Sequence, residues 1–424
     1  MIGTLDPRQR EVTVIGGGIA GMLFAFYAQK RGYQATLIEK SDRLGGMIQT
    51  DSLATGIAEQ AAHSLLAPPS VMEFMREIGV NFTGVHPEAT ARYILREGRL
   101  RKFPLGVLEM GGLLIRALSH TAPMTDSVGG PTLAEWTRRH LGEKALRYLV
   151  GPMVTGIYAC TPDELAQAAA FPRLSVAPGR SLARAQLTKP RSSRPARGPM
   201  VTPRGGMGEI IKKLQAALEA SGVKIQLAHS ALSAIPLHNV AICTSAPAAT
   251  IPLLRFPDSG AIVAALKRVQ YAPLISLTLI VRKDRAHPRG VGVLIPRGEG
   301  YRILGVLFNS SAFPDRVIDD AHASYTVMIG GTGDPRALQE SDETLVQIAT
   351  QETSRLFGTA IEVLEARLFR WPAAIPIYNH ALLETWDAAR GWAAQPGRVL
   401  FGNYTGQVSV RGMIESAAAL PGRE

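Results

Sequence analysis

The chain has 424 residues, a net charge of +11, 46% hydrophobic residues and 19% charged ones. That length exceeds one ordinary core and predicts two or three domains, and the composition excludes a disordered protein. Cys160 and Cys243 lie far apart without C-x-x-C spacing, which excludes a disulfide framework and a thiolate zinc site. The nine histidines show neither H-x-H nor H-E-x-x-H, so no metal is expected. The N-terminal stretch lacks the apolar core of a signal peptide, and no apolar run reaches the ~18 residues that span a bilayer.

Residues 12–15 are an apolar, β-branched run of strand length. Gly16, Gly18 and Gly21 follow as G-x-G-x-x-G, then an apolar helical segment, 22–29, and a second strand, 35–38, ending at Glu39. In such a βαβ unit the first glycine permits the tight turn, the second lets backbone approach a pyrophosphate, and the third lets helix pack on strand. Unpaired N–H groups at the helix start favour the anion. Glu39 lies 18 residues beyond Gly21, where a ribose-binding carboxylate is expected. Lys40, Arg43, Gly45 and Gly46 extend the unit as E-K-x-x-R-x-G-G.

Residues 48–85 read as strand, turn and helix, with Ser70 or a neighbour capping an amphipathic segment, 71–78. Residues 92–104 read as a β-hairpin around Glu97-Gly98, carrying Arg92, Arg96, Arg99, Arg101 and Lys102. The apolar segment 105–117 is too short to span a bilayer and suits an interfacial or a core helix equally. Residues 131–170 are helical, started by Pro131 and Thr132 and broken at Gly142 and Gly151. Between 165 and 208 stand eight basic residues and no acid. This charge suits a solvated loop or an anionic membrane surface, and without aromatic interleaving it gives no support to nucleic acid as a partner.

The stretch 203–235 gives a glycine turn, an amphipathic helix and a strand pair, and 240–244 another short strand. This α/β block is expected to rejoin the first sheet, making the nucleotide domain discontinuous. Segments 274–282, 291–295, 301–308 and 324–329 are short apolar strands of a mostly antiparallel sheet, followed by a helix, 343–357, and a strand, 361–369. Residues 398–420 then give a strand, a glycine-containing turn and a helix able to return to the nucleotide site.

Several of these stretches resemble the protoporphyrinogen oxidase family, oxygen-dependent FAD porphyrinogen oxidases of the flavin amine oxidase superfamily. The E-K-x-x-R-x-G-G extension is similar to theirs. So are GIYACTPDELAQAAAFPRL, PRGGMGEIIKKL, VGVLIPRGEGYRILGVLFNSSAFPDR, RWPAAIPIYNH and FGNYTGQVSVRGMIESA, in family order along nearly the whole chain. The resemblance implies an α/β architecture with a discontinuous Rossmann-like FAD-binding domain (1–88, 201–255 and 386–424). It also implies an α+β antiparallel-sheet substrate domain (89–104 and 256–385) and a helical membrane-binding domain (105–182) followed by the basic loop (183–200).

On the same basis Gly16, Gly18, Gly21, Glu39, Lys40, Arg43, Gly45 and Gly46 fall to FAD. So do Leu232, at a strand position whose backbone meets adenine, and Trp371, Gly402, Asn403, Val408 and Val410. Arg92 falls where a guanidinium pairs with a substrate propionate, and Leu304 and Gly305 fall to the substrate. The implied reaction is hydride loss from a porphyrinogen carbon to flavin N5, repeated over three two-electron oxidations, with O2 as acceptor and H2O2 released. No catalytic protein acid or base is assigned. Implied substrates are protoporphyrinogen IX or coproporphyrinogen III; a catalytically weak tetrapyrrole-binding flavoprotein is the other alternative. An amine oxidase is disfavoured, because the closing segment lacks G-x-E-T. The implied partners beyond substrate and O2 are an anionic membrane surface and the terminal haem-pathway enzyme, and the implied location is cytoplasmic, peripheral on the inner membrane. Met47, Cys160, Ile377 and Gln407 depart from the family pattern.

Overall fold

A computed structural model of the chain describes residues 1–103, 113, 115–119, 129–175, 179, 181–183, 198–233 and 238–422. Most of the apolar segment 105–117 and of the basic loop 183–200 lies outside the described residues. Among the described residues the strands form two large sheets and two small ones. The first large sheet contains β1 (Ile2–Thr4), β2 (Glu11–Ile15), β3 (Gln34–Ile38), β11 (Lys224–Gln226), β12 (Val240–Ile242) and β18 (Arg398–Leu400), in the order β1-β18-β12-β2-β3-β11. All its pairings are parallel except β1 on β18. The expectation that the distant α/β blocks rejoin one sheet holds. The short β1 carries no local signal, since only its pairing with β18 makes it a strand.

The second large sheet contains β8 (Arg92–Arg96), β9 (Arg99–Lys102), β13 (Tyr271–Arg282), β14 (Gly292–Leu294), β15 (Ile303–Leu307), β16 (His322–Gly330) and β17 (Val363–Pro376). Its order is β17-β13-β16-β15-β14-β8-β9, antiparallel apart from β14 beside β8. The small sheets pair β4 (Thr50–Ser52) with β5 (Ile57–Glu59), and β10 (Met200–Pro203) with β6 (Leu65–Leu66) and β7 (Phe82–Gly84).

The fully described helices of eight residues or more are α1 (Ile19–Lys30), α2 (Pro69–Glu77), α3 (Leu133–His140), α4 (Gly151–Tyr158), α5 (Gly208–Ala220), α6 (Asp342–Phe357), α7 (His380–Trp392) and α8 (Val410–Ala418). Every residue of α1 from Ile19 to Ala28 is buried, because its apolar surface is continuous around the helix. It packs between β3 and the faces of α5 and α8. Helix α6 is bounded by its own sequence signals: the Ser341 side chain accepts from Thr344 N, and Gly358 closes it at φ 73°.

Some local expectations are corrected. Helix α2 starts at Pro69 with Pro68 at the cap, not at Ser70, because a proline in the first turn gives up an N–H that has no helical partner anyway. Gly151 does not break the helical region. Residues Leu146–Val150 form a wide π turn leading straight into α4, where Pro152 cannot donate and forces the preceding turn open. Among the described residues only β11 of the expected strand pair is present. Ala231–Ser233, including Leu232, is a 3-10 turn. Beyond Gln226 the backbone leaves β3, its N–H groups bonding instead to Ser41 and Glu39 carbonyls. The helical region 133–170 packs into a core shared with β12, β18 and α7, and Gly156 of α4 sits against the Leu294 side chain on β14. No described helix is long and apolar enough to cross a membrane.

The two large sheets are joined by polar contacts around β4, β5 and β10. Glu365 on β17 accepts the backbone N–H groups of Ala54 and Thr55, each at 2.9 Å, and Arg367 pairs with Asp51 at 2.7 Å. Arg316, in the turn after β15, donates to Thr202 Oγ1 (2.7 Å) and Pro203 O (2.8 Å) and stands 3.6 Å from the Glu59 carboxylate. Glu59 is 4% exposed and accepts from Thr50 Oγ1 (2.7 Å) and Met207 N (2.8 Å).

Burial pushes the Glu59 carboxyl up to about 7, outweighing those hydrogen bonds and Arg316. Of the other groups nearby, His63 is held neutral by burial, its pKa pushed down to about 4, and Asp315 faces Arg316 at 3.8 Å. Because the folded-state value lies above the ordinary 4.5, Glu59 contributes stability that is full below pH 4.5 and lost as pH rises to about 7. Glu59→Gln, which cannot ionise, is therefore expected to flatten the fall in Tm between pH 5 and 7.5. The gain over wild type at the upper end should be roughly 3 kcal/mol at most. Thermal melts of both proteins across that range check this.

Candidate functional site

A cavity of about 550 Å³ opens at the carboxyl ends of β2, β3, β12 and β18, the crevice where parallel α/β sheets bind ligands. Its floor is the turn from β2 into α1. Gly16 has φ +107°, and a side chain there would place Cβ 2.6 Å from the Cys243 carbonyl oxygen. On Gly21 a Cβ would overlap the Gly16 carbonyl oxygen itself, so this glycine lets α1 lie on the turn. Gly18 differs. A Cβ there would meet only the Gly46 Cα, at 4.0 Å. Packing within the protein leaves room for a side chain at Gly18, and that room is on the cavity side. Gly18 is also the N-cap of α1 and offers no capping side chain, so the first-turn N–H groups are left for an anion.

The second glycine pair is tied to this turn. Gly45 N donates to Gly17 O at 2.8 Å, and Gly18 and Gly45 form a parallel bridge. Gly45 (φ +101°) rests on Ile211 of α5, where a Cβ would come within 2.9 Å of that side chain. Arg43 does not line the cavity. Its guanidinium donates to Gly46 O (3.0 Å) and Leu44 O (3.3 Å), bracing the loop. Glu39 reaches back from the end of β3: Oε2 accepts from Gly17 N at 2.6 Å, and Oε1 from Ser41 N (2.9 Å) and Ser41 Oγ (2.8 Å).

The far walls come from several further segments. His229, Ser230, Ala231 and Leu232 enter with the 3-10 turn after β11, and Cys243, Thr244 and Ser245 extend from β12. Gly402 and Asn403 follow β18, with Met413 of α8 beneath. Trp371 enters from the other large sheet. A bulge at residues 372–374 of β17 lets its indole Nε1 reach Gln60 O at 2.8 Å. Burial pushes the Cys243 thiol upward, so it lines the wall as an unreactive apolar group.

Of the residues singled out from sequence, Gly16, Gly18, Glu39, Lys40, Gly45, Gly46, Leu232, Trp371, Gly402 and Asn403 come together around the cavity. Gly21 and Arg43 lie behind its walls, and Val408 and Val410 are not among the residues that line it. Arg92, Leu304 and Gly305 lie apart from it, on the second sheet. Arg92 is exposed at the start of β8 opposite Gly292, with no ion-pair partner among the described residues. Leu304 is buried, and Gly305 packs so closely on β14 that a Cβ would stand 2.6 Å from Val293 O. Sequence reasoning missed Gly17, whose Cβ would stand 2.8 Å from the Glu39 side chain, although the unbroken G-G-G run marks it. It also missed Thr244 and Ser245, which follow the apolar run of β12, where strand ends face ligands.

The family model for flavin containing amine oxidoreductases matches residues 19–419. Protoporphyrinogen oxidase 2 of Arabidopsis thaliana is 24% identical, over 96% of this chain and 92% of its own length. Coproporphyrinogen III oxidase of Bacillus subtilis is 22% identical, over 88% of this chain and 89% of its own. A solved structure from Exiguobacterium sp. 255-15, provisionally assigned as a protoporphyrinogen oxidase, superposes with a TM-score of 0.76 at 20% identity. It covers 96% of this chain and 97% of that one.

The two inner glycines separate packing from ligand access. Gly21→Ala is expected to cost about 1–3 kcal/mol of stability through overlap with the turn. Gly18→Ala should melt like wild type while weakening dinucleotide binding by roughly tenfold or more. Melts of flavin-free protein, paired with FAD titrations, check both outcomes.

Proposed function

The chain belongs to the flavin containing amine oxidoreductase family, whose cofactor is FAD, and from that premise we propose that it is a porphyrinogen oxidase. It takes protoporphyrinogen IX to protoporphyrin IX in three two-electron oxidations, with O2 as acceptor and H2O2 released. The observation that carries this reading is the full-length likeness to enzymes named for porphyrinogen oxidation, in a chain whose glycine turns, Glu39 and Gly402–Asn403 surround one dinucleotide-sized cavity.

In this reading the Gly16–Gly18 turn and the α1 N-terminus hold the pyrophosphate, Glu39 holds a ribose, and the backbone of 229–232 borders the adenine. Gly402, Asn403 and Trp371 hold the other end. Lys40 is exposed at the rim and adds positive charge beside the anion. FAD, when bound, supplies the two-electron acceptor. Among the described residues the titratable groups lining the cavity are Glu39, Lys40, His229 and Cys243, and all stand at the ends of the parallel strands. Glu39 is already committed to Gly17 and Ser41. The chain therefore contributes binding, orientation and exclusion of water rather than an acid or base. Apolar walls from Ile15, Ile19, Met47, Leu253 and Trp371 do the last of these.

Arg92 is the proposed partner of a substrate carboxylate, its free guanidinium being suited to a bidentate pair. The membrane face, the terminal haem-pathway enzyme and a location on the inner membrane belong to the same proposal.

Flavin-loaded protein is expected to generate porphyrin fluorescence from protoporphyrinogen IX well above the autoxidation blank, releasing three H2O2 per porphyrin. Faster turnover of coproporphyrinogen III would move the assignment to that substrate. No fluorescence above the blank with either porphyrinogen would leave a tetrapyrrole-binding flavoprotein. Arg92→Ala should raise KM several-fold with little change in kcat; an unchanged KM removes Arg92 from the substrate site.

A further inference from the structure

Two phenols from the second large sheet bond to residues that line the cavity. Tyr271 opens β13 and Tyr378 lies just beyond β17; Tyr271 pairs with Pro376, so both project from the same end of adjacent strands. Tyr378 OH donates to the backbone carbonyl of Asn403 at 2.6 Å. Tyr271 OH lies 3.2 Å from Asn403 Oδ1 and 3.0 Å from the carbonyl oxygen of Ser245, sharing its single proton between two cavity walls. A third aromatic group acts one residue on: Trp386 Nε1 donates to Tyr404 O at 2.6 Å, and Tyr404 OH bonds to Thr250 Oγ1 at 2.7 Å.

Asn403 thus has its backbone held from one side and its amide oxygen from another. The amide nitrogen has no protein acceptor among the described residues, and the residue lines the cavity. Burial pushes both phenols above their ordinary range, so they stay protonated donors at any working pH.

We infer that Tyr271 and Tyr378 are positioning residues for the cofactor: together they orient Asn403 so that its amide N–H₂ is presented to a hydrogen-bond acceptor of the bound dinucleotide. This rests on the reading that the cavity takes FAD. It adds that the second sheet, from which neither tyrosine was singled out as a cofactor residue, sets part of the affinity. The two phenols act on different atoms, and that difference separates them experimentally. Tyr271 acts through the Asn403 side chain, whereas Tyr378 acts through its backbone carbonyl, which every substitution at 403 retains.

The test is a double-mutant cycle on flavin-free protein titrated with FAD and followed by quenching of flavin fluorescence. Tyr271→Phe and Tyr378→Phe should each weaken FAD binding roughly five- to tenfold, the scale of one lost hydrogen bond. In an Asn403→Ala background the Tyr271→Phe effect should vanish, while the Tyr378→Phe effect should persist. Melts of the same proteins without flavin report any general loss of fold, which a merely structural role would move alongside affinity. An unchanged affinity in either phenylalanine variant, or a Tyr271→Phe effect of equal size with and without Asn403, overturns the inference. Failure of wild type to bind FAD would instead overturn the reading on which it rests.

Discussion

Two glycine turns from separate parts of the sequence close on one another: the Gly45 N–H bonds to Gly17 O, and Gly18 bridges Gly45. Most of the site depends on this contact. It holds the loop after β3 against the start of α1, and it keeps the Gly18 face open toward the cavity. It also places Glu39 where it can grip the Gly17 N–H. Helix α5 supports the contact from behind through Ile211, and Arg43 fixes the outer carbonyls. Each supporting group is needed because backbone lies on backbone here, with no side chain to fill an error in spacing.

The second sheet is more than a neighbouring unit. Glu365, Arg367 and Trp371 on one strand, and Arg316 beyond another, bond to the segments that border the glycine turns. Tyr271 and Tyr378 complete the connection on the opposite side, at Ser245 and Asn403. The cavity is therefore bordered by the first sheet and by Trp371 of the second, and further second-sheet groups brace the segments that form its walls. Glu59 and Arg316 are nearly removed from water within this interface, which makes the joint between the sheets responsive to proton concentration.

The βαβ unit was legible because each of its signals is local: glycine spacing, a β-branched run and an acid at the strand end. The antiparallel strands were legible as short apolar runs, and α6 as a helix over 343–357, one residue inside its observed start. What escaped was set by distant partners. β1 exists only because β18 offers an edge, and residues 227–232 leave extended pairing because β3 ends at Ile38. The sequence there alternates well enough to suggest a strand for Leu232, but no strand among the described residues pairs with it. Gly305 carries no sequence signal for its close packing on β14, which only the distance to Val293 O reveals. The tyrosine pair lies far in sequence from Asn403 and carries no motif, so only the folded geometry reveals it.

The central claim is that the joined glycine turns orient a dinucleotide across this cavity, and a crystal structure of the FAD-loaded protein tests it most directly. The account predicts density for the pyrophosphate over Gly16–Gly18, adenine beside residues 229–232 and isoalloxazine toward Asn403 and Trp371. Density in the reverse orientation, or flavin bound elsewhere with the cavity filled only by water, would contradict it.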